Sequence, residues 1–350
     1  MNNSHNLHRL VRKNVANLAP YRSARDEFDK ARDGLIFLDA NENPFETKVN
    51  RYPDPQQREL KSVLAQMNGL PSNRILLGNG SDEVLDLLFR AFCEPKEDHV
   101  ITLPPTYGMY KVLAGINNVE NKEIQLLEDF QPNTSEIFRS QNENSKLLFL
   151  CSPNNPTGTS ISEENMRLLL EEFNGLVVVD EAYIDFSETD SWSKHLEEYP
   201  NLVIVQTLSK AYGMAGIRLG ICFASAEIIS VLNKIKPPYN VNRLTQDAAL
   251  LRLQNKNIIE EEIALLLTEK SILIKELLQL EVVEEVFPSN TNFLLVRVDN
   301  AAKRYEQLLG HGIVVRNRSS QHLCGNTLRF TVGAPEENKR LIAALKTYSA

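Results

Sequence analysis

Cysteine is scarce in this 350-residue chain, and the four present, Cys93, Cys151, Cys222 and Cys324, show no CxxC spacing. Scattered thiols in apolar, strand-like surroundings exclude a disulfide framework or a zinc finger and predict free thiols in a reducing cytoplasm. Histidine is equally thin, six residues without ligand spacing, so no metal site is expected. Positive charge is not in excess either. Lys and Arg number 38 against 46 Asp and Glu, a formal net charge of -8. That balance argues against a nucleic-acid binder and means that an anionic small molecule needs dedicated arginines. No apolar run approaches the roughly 20 residues that span a bilayer. The N-terminus, with His5, His8, Arg9, Arg12 and Lys13, lacks the apolar core of a signal peptide. Repeats and low-complexity tracts are missing too. What remains reads as a soluble globular protein, too long for one ordinary core and expected to form a large domain with a smaller companion.

Along the chain, Leu7, Leu10, Val11 and Leu18 recur at roughly helical spacing and predict one short amphipathic helix ending before Pro20. An apolar strand is expected at Leu35 to Leu38, and a helix from Gln56 to Met67 closed by Gly69. Strands and helices then alternate, the pattern of a mostly parallel sheet covered on both faces. Four strands in succession run into polar turns: Gly78-Asn79-Gly80-Ser81, Pro104-Pro105-Thr106-Tyr107, Ser152-Pro153-Asn154-Asn155-Pro156 and Asp180-Glu181-Ala182-Tyr183. In open α/β sheets ligands bind beyond the carboxyl ends of the strands, so these turns should converge on one crevice. After Pro237-Pro238 long helical patterns and short strands predict an α+β domain. The resulting division is an N-terminal arm over 1–34, a large domain over 35–240 and a small domain over 241–350, with the arm folded onto the small domain and a dimer interface.

The most informative stretch is Thr207-Leu208-Ser209-Lys210-Ala211-Tyr212-Gly213-Met214-Ala215-Gly216-Ile217-Arg218, following an apolar strand from Leu202 to Val205. A lysine at the mouth of a strand, shielded from bulk water and beside cations, loses its proton more easily than a surface lysine and can form a Schiff base. Taken singly, a lysine after a strand is ordinarily a solvated residue. Thr207, Ser209 and Arg218 add hydroxyls and a guanidinium fork suited to phosphate. Gly80 and Ser81 lie where a helix N-terminus would present unpaired N–H groups to the same anion. Asp180 closes an apolar strand, a place where a carboxylate needs a partner.

The ordered set NGSDE, PPTY, SPNNPTG, DEAY, TLSK and GIRLG resembles the class II aminotransferases of fold type I, which depend on pyridoxal 5'-phosphate, and covers nearly the whole chain. Asp39 to Pro44, Arg51 to Pro55, and Val315 to Arg318 followed by Leu328 to Gly333 resemble the histidinol-phosphate aminotransferase branch. The resemblance implies a mostly parallel seven-stranded sheet between helices. It implies catalytic roles for Lys210, Asp180 and Tyr183, with Lys210 joined to the cofactor aldehyde and Asp180 paired with its pyridine nitrogen. Tyr183 and Asn155 would bond the phenolate oxygen, and Tyr107 would stack on the ring. Gly80, Ser81, Asp82, Thr207, Ser209 and Arg218 would hold the phosphate. Tyr52 would reach a neighbouring subunit's site in a homodimer. Arg329 would receive the glutamate carboxylate, with Tyr21, Tyr52, Asn155 and Arg316 completing the substrate contacts. Arg316 and Arg318 also read as solvated residues. Other readings stay open: an aromatic aminotransferase, a phosphothreonine decarboxylase-like lyase, and a non-catalytic binding protein.

Overall fold

The computed structural model describes residues 7–21, 23 and 35–348. Its organising layer is a seven-stranded sheet: β1 (Ile75–Asn79), β2 (His99–Thr102), β3 (Glu120–Glu123), β4 (Ser145–Cys151), β5 (Leu176–Asp180), β6 (Leu202–Thr207) and β7 (Leu219–Ala224). The strand order is β1-β7-β6-β5-β4-β2-β3, with β7 alone antiparallel to its neighbours. The pleat sends alternate side chains to opposite faces. Val177, Val179 and Ile204 enter one core, while Leu176, Val178 and Val203 enter the other. All six are buried, each contributing about 1.5–3 kcal/mol of transfer free energy. The near-continuous apolar strands at the centre follow from this two-sided burial. Strand β3 is polar and lies at the sheet edge, where charged side chains discourage further pairing; low β propensity hides it from sequence reading.

Helices α1 (Leu7–Leu10), α2 (Lys13–Ala16), α3 (Arg58–Asn68), α4 (Ser81–Phe92), α5 (Met109–Ile116), α6 (Thr134–Ser140), α7 (Glu163–Glu172) and α8 (Ala226–Ile235) accompany the sheet. Their ends obey local chemistry. Gly69 closes α3 in the left-handed conformation, and Ser162 caps α7 by accepting from the Asn165 N–H. Beyond them come α9 (Arg243–Leu253), α10 (Lys256–Leu277), β8 (Val283–Val286), β9 (Phe293–Val298), α11 (Ala301–Gly310), β10 (Arg316–Asn317), β11 (Thr327–Thr331) and α12 (Pro335–Lys346). Strands β8 to β11 form a separate four-stranded sheet, ordered β10-β11-β9-β8, with its own core under α10 and α12. Helix α9 still places Ala249 and Leu253 in the core of the large sheet.

Three expectations need correction. The single N-terminal helix is two short ones, interrupted at Val11 and Arg12. Its apolar residues Leu10, Val11 and Val15 pack against the large domain rather than the small one, and Arg12 donates to Ala91 O at 3.0 Å and to Glu94. The reason is apolar complementarity with α4 and α8; residues 1–6, 22 and 24–34 of the arm lie outside the described residues. Leu35 to Leu38 forms no strand, because neither sheet takes it up as a partner, and Ile36 and Leu38 face outward at 84% and 88% exposure. The four cysteines are free and buried, as composition suggests.

Candidate active site

Five strand ends supply the site. β1 leads into α4, β2 into α5, β4 into the turn holding Asn154 and Asn155, β5 ends on Asp180, and β6 runs into Lys210. Because β6 and β7 pair antiparallel from Val203↔Ala224 to Thr207↔Gly220, the segment carrying Lys210 and Arg218 is anchored at both ends.

One cluster of polar groups starts at α4. Its first-turn N–H groups, those of Ser81 and Asp82, have no acceptor within the helix and face the positive end of its dipole. Gly80 behaves otherwise than expected: its backbone N–H is committed to Arg218 O at 2.8 Å. Its contribution is space, since a Cβ there would stand 2.6 Å from Arg218 Nη2. Gly220, which sequence reading passes over, is tighter still: a Cβ would lie 2.3 Å from Ser81 N. Arg218 adopts the left-handed region, φ 56° and ψ 62°, a conformation that costs a non-glycine residue about 1–2 kcal/mol. It directs the guanidinium to Ser209 Oγ at 3.5 Å, with Asp82 Oδ2 at 3.8 Å. Thr207 Oγ1 stands 2.9 Å from Ser209 Oγ and 3.1 Å from Leu219 O. Two hydroxyls and one guanidinium are thus linked beside the N-terminus of α4.

Asp180 is buried at 3% exposure. Its Oδ1 accepts the Ala182 N–H at 3.1 Å and its Oδ2 accepts the Tyr110 hydroxyl at 2.8 Å. Burial pushes this carboxyl up to about 6 against the pull of those two bonds. Tyr107, one turn before Tyr110, donates to Asp82 Oδ1 at 3.1 Å. Tyr110 has no place in the sequence reading. The second tyrosine of PPTYGMY, at the i+3 spacing that shares a helix face, was the available signal.

Lys210 is exposed, its Nζ 5.5 Å from the centre of the Tyr183 ring. Loss of hydration lowers its proton affinity, and nearby Arg329 and Arg218 add to the effect while Asp180 opposes it. Tyr183 meets Phe293 edge-on at 5.1 Å, and Phe293 carries the Arg329 guanidinium at 5.0 Å. Arg329 Nη1 in turn donates to Asn155 Oδ1 at 2.5 Å. The adjacent Asn154 is structural, donating to Pro105 O and accepting from Thr106 Oγ1.

The register Arg316↔Arg329 sets Arg316 beside Arg329 on the small sheet, and the alternation of a strand returns Arg318 to the same side. Sequence reasoning alone does not assign Arg318 to the site. Its proton affinity is lowered by burial and then by Arg316, and Nε of both Arg318 and Arg329 is buried without an acceptor. None of the three arginines is in a salt bridge among the described residues. Tyr21 and Tyr52 stand apart, without a hydrogen bond or ring contact to Lys210, Asp180 or Arg329; Tyr21 is exposed and Tyr52 stacks on Tyr239 at 4.5 Å. No metal-holding group of acidic, histidine or cysteine side chains occurs among the described residues.

The family model described as aminotransferase class I and II matches residues 38–345. The chain belongs to this family. Among its relatives, the histidinol-phosphate aminotransferase of Flavobacterium johnsoniae is 60% identical over 98% of this chain and 99% of its own length. That of Bacteroides fragilis is 51% identical over 98% and 99%. Among solved structures, the aminotransferase superposes on histidinol-phosphate aminotransferase from Clostridium acetobutylicum with a TM-score of 0.78 at 26% identity, covering 86% of this chain and 91% of that one. It also superposes on L-threonine-O-3-phosphate decarboxylase from Porphyromonas gingivalis, TM-score 0.72 at 26% identity over 86% and 91%. Two chemistries therefore share this fold, and the residues around Lys210 must discriminate between them.

Proposed function

We propose that this chain is a pyridoxal 5'-phosphate-dependent histidinol-phosphate aminotransferase of histidine biosynthesis. It interconverts L-histidinol phosphate plus 2-oxoglutarate with imidazole acetol phosphate plus L-glutamate, as a cytoplasmic homodimer. The observation that carries the reading is the set Arg316, Arg318 and Arg329, three guanidiniums of the small sheet without carboxylate partners among the described residues, the last of them near a lysine of lowered proton affinity. Such a site asks for substrate anions, a carboxylate in one half-reaction and a phosphate monoester in the other.

The residues present fit the cofactor. Ser81, Asp82, Thr207, Ser209 and Arg218 would hold its phosphate, with Gly80 leaving room for the guanidinium. Asp180 would accept from the ring nitrogen, Tyr183 and Asn155 would meet the phenolate oxygen, and Tyr107 would cover a ring face. When bound, the cofactor supplies an electron sink for a carbanion at the amine-bearing carbon. Lys210 Nζ takes the proton from substrate Cα and later returns one, which its depressed proton affinity suits. Arg329 orients the carboxylate so that Cα–H faces Lys210. Arg316 and Arg318 grip the phosphate ester, and Tyr21 closes over it. Tyr52 serves the partner subunit's site. The exposed apolar residues Ile36, Leu38, Phe45 and Val49, all within one stretch of chain, are consistent with a partner's covering that stretch.

The test is a panel of amino compounds incubated with the loaded enzyme, reading amino transfer to 2-oxoglutarate. Histidinol phosphate should outpace phenylalanine by orders of magnitude, because half-buried Arg318 and its neighbour Arg316 would lose their anion with a phosphate-free substrate. Equal rates would discard the substrate assignment, and carbon dioxide release from phosphothreonine in place of amino transfer would favour the lyase chemistry.

A further inference from the structure

The turn after β2 and the first turn of α5 each carry a tyrosine that meets an acid. Tyr107 donates to Asp82, beside Arg218, and Tyr110 donates to Asp180 at 2.8 Å. The second bond is unusually constrained. The Tyr110 ring is fully buried, stacked on Phe149 of β4 at 4.9 Å and 14°, and met edge-on by Tyr107 at 5.6 Å and 85°. A ring clamped on two sides has one rotamer available, so its hydroxyl has one position. An ionised carboxylate only accepts, so the proton of this bond comes from Tyr110.

Counting acceptor positions shows what the bond leaves open. A carboxylate offers about four lone-pair sites. The Ala182 N–H takes one on Oδ1 and Tyr110 takes one on Oδ2. No cationic side chain is bonded to Asp180 among the described residues. One lone pair on each oxygen stays available to a donor entering from the crevice, and the plane of the carboxylate is set by two donors attached to different elements.

We infer that Tyr110 is a positioning residue: by holding its proton at Asp180 Oδ2 it fixes the orientation and the ionised form of the carboxylate that the cofactor's ring nitrogen must meet. This inference rests on the proposed cofactor dependence and extends it to a residue in the next layer of structure. Two directions of titration agree with the geometry. Burial raises Asp180 and the Tyr110 bond is the largest opposing influence; Tyr110 is itself driven far above the ordinary tyrosine range and stays a donor. The other groups acting on the pair are Asp82, Lys210 and Cys151.

The experiment uses the full chain carrying Tyr110→Phe, which keeps the stacked ring and deletes one oxygen. Pyridoxal 5'-phosphate affinity is measured by fluorescence on the stripped protein, and the visible absorbance of the loaded protein is titrated against pH. Loss of a charge-assisted bond predicts about tenfold weaker cofactor binding. With the ring nitrogen less protonated, the ring withdraws fewer electrons, and the absorbance midpoint should move upward by roughly one pH unit. An unmoved midpoint with affinity within twofold of wild type would overturn the inference, since a purely structural tyrosine would leave both in place. Should Tyr110→Phe fail to fold, Phe149→Leu loosens the ring while keeping the hydroxyl and should shift both readouts in the same direction, more weakly; no shift there also overturns it. A wild-type chain with no visible band would sink the proposed function itself, whereas a normal band indifferent to Tyr110 would sink only this inference.

Discussion

Arg329 on β11 of the small sheet reaches the large domain and donates to Asn155 Oδ1 at 2.5 Å. The contact bridges 174 positions of chain and aligns the guanidinium over the crevice. Its Nε has no acceptor among the described residues, so they satisfy the fork only in part.

Replacing Arg329 should therefore hurt substrate binding more than folding. Arg329→Gln removes a charge-assisted bond worth about 1.5–3 kcal/mol, or roughly 10- to 150-fold in kcat/KM for glutamate. Arg318→Gln should raise KM for histidinol phosphate while leaving that for glutamate nearly unchanged. Steady-state kinetics with both substrates checks the pair; equal losses on both would mean that Arg318 does not discriminate between the anions.

Lys210 Nζ makes no hydrogen bond among the described residues. Lys210→Ala should consequently unfold within about 0.5 kcal/mol of wild type while turnover and the visible band disappear. Thermal unfolding and absorbance of one preparation test both statements, and a retained band would remove Lys210 from its assigned role.

Asp180 links function to pH-dependent stability. Its carboxyl is raised from 3.8 to about 6 in the folded protein, so the native state binds more protons than the unfolded chain between those values. Cofactor-free protein should lose stability as pH rises through that window, by at most about 3 kcal/mol for a shift of about two units. Asp180→Asn should remove the loss, making the stripped variant more stable than wild type at pH 8 and indistinguishable near pH 3. Chemical denaturation across pH checks this, and parallel curves for the two proteins would contradict it.

Gly220→Ala would place a Cβ 2.3 Å from Ser81 N and 2.4 Å from Gly80 C. Strand β7 or the start of α4 must then shift, costing about 1–3 kcal/mol and opening the anion position. Gly216→Ala meets nothing within 4 Å and should be nearly silent. Cofactor-induced stabilisation should shrink only in the first variant, as read by melting with and without pyridoxal 5'-phosphate.

Much of this architecture is legible in the chain because two signals agree. Leu176 to Val179 is apolar enough to be buried on both faces, and it ends on an acid that needs a partner there, whether a bound ligand, a helix cap or an ion pair. Lys210 and Arg218 are legible for the same reason: polar groups at the mouths of apolar strands. What escapes depends on three-dimensional neighbours. Tyr110 looks like core filler until Asp180, 70 positions away, is placed above it. Gly80 looks like an amide donor until Arg218, just before β7, folds beside it and accepts from that N–H. Leu35 to Leu38 has the composition of a strand but finds no edge, and β3 finds one despite its charges.

Lys210 and the groups proposed to hold the cofactor phosphate lie at the strand ends of one sheet, and the arginines proposed for substrate belong to another. Colour and turnover are thus separable traits. Damage to β10 or β11 should yield a yellow protein that does nothing, and damage where β7 meets α4 a colourless one whose arginines wait beside an empty seat.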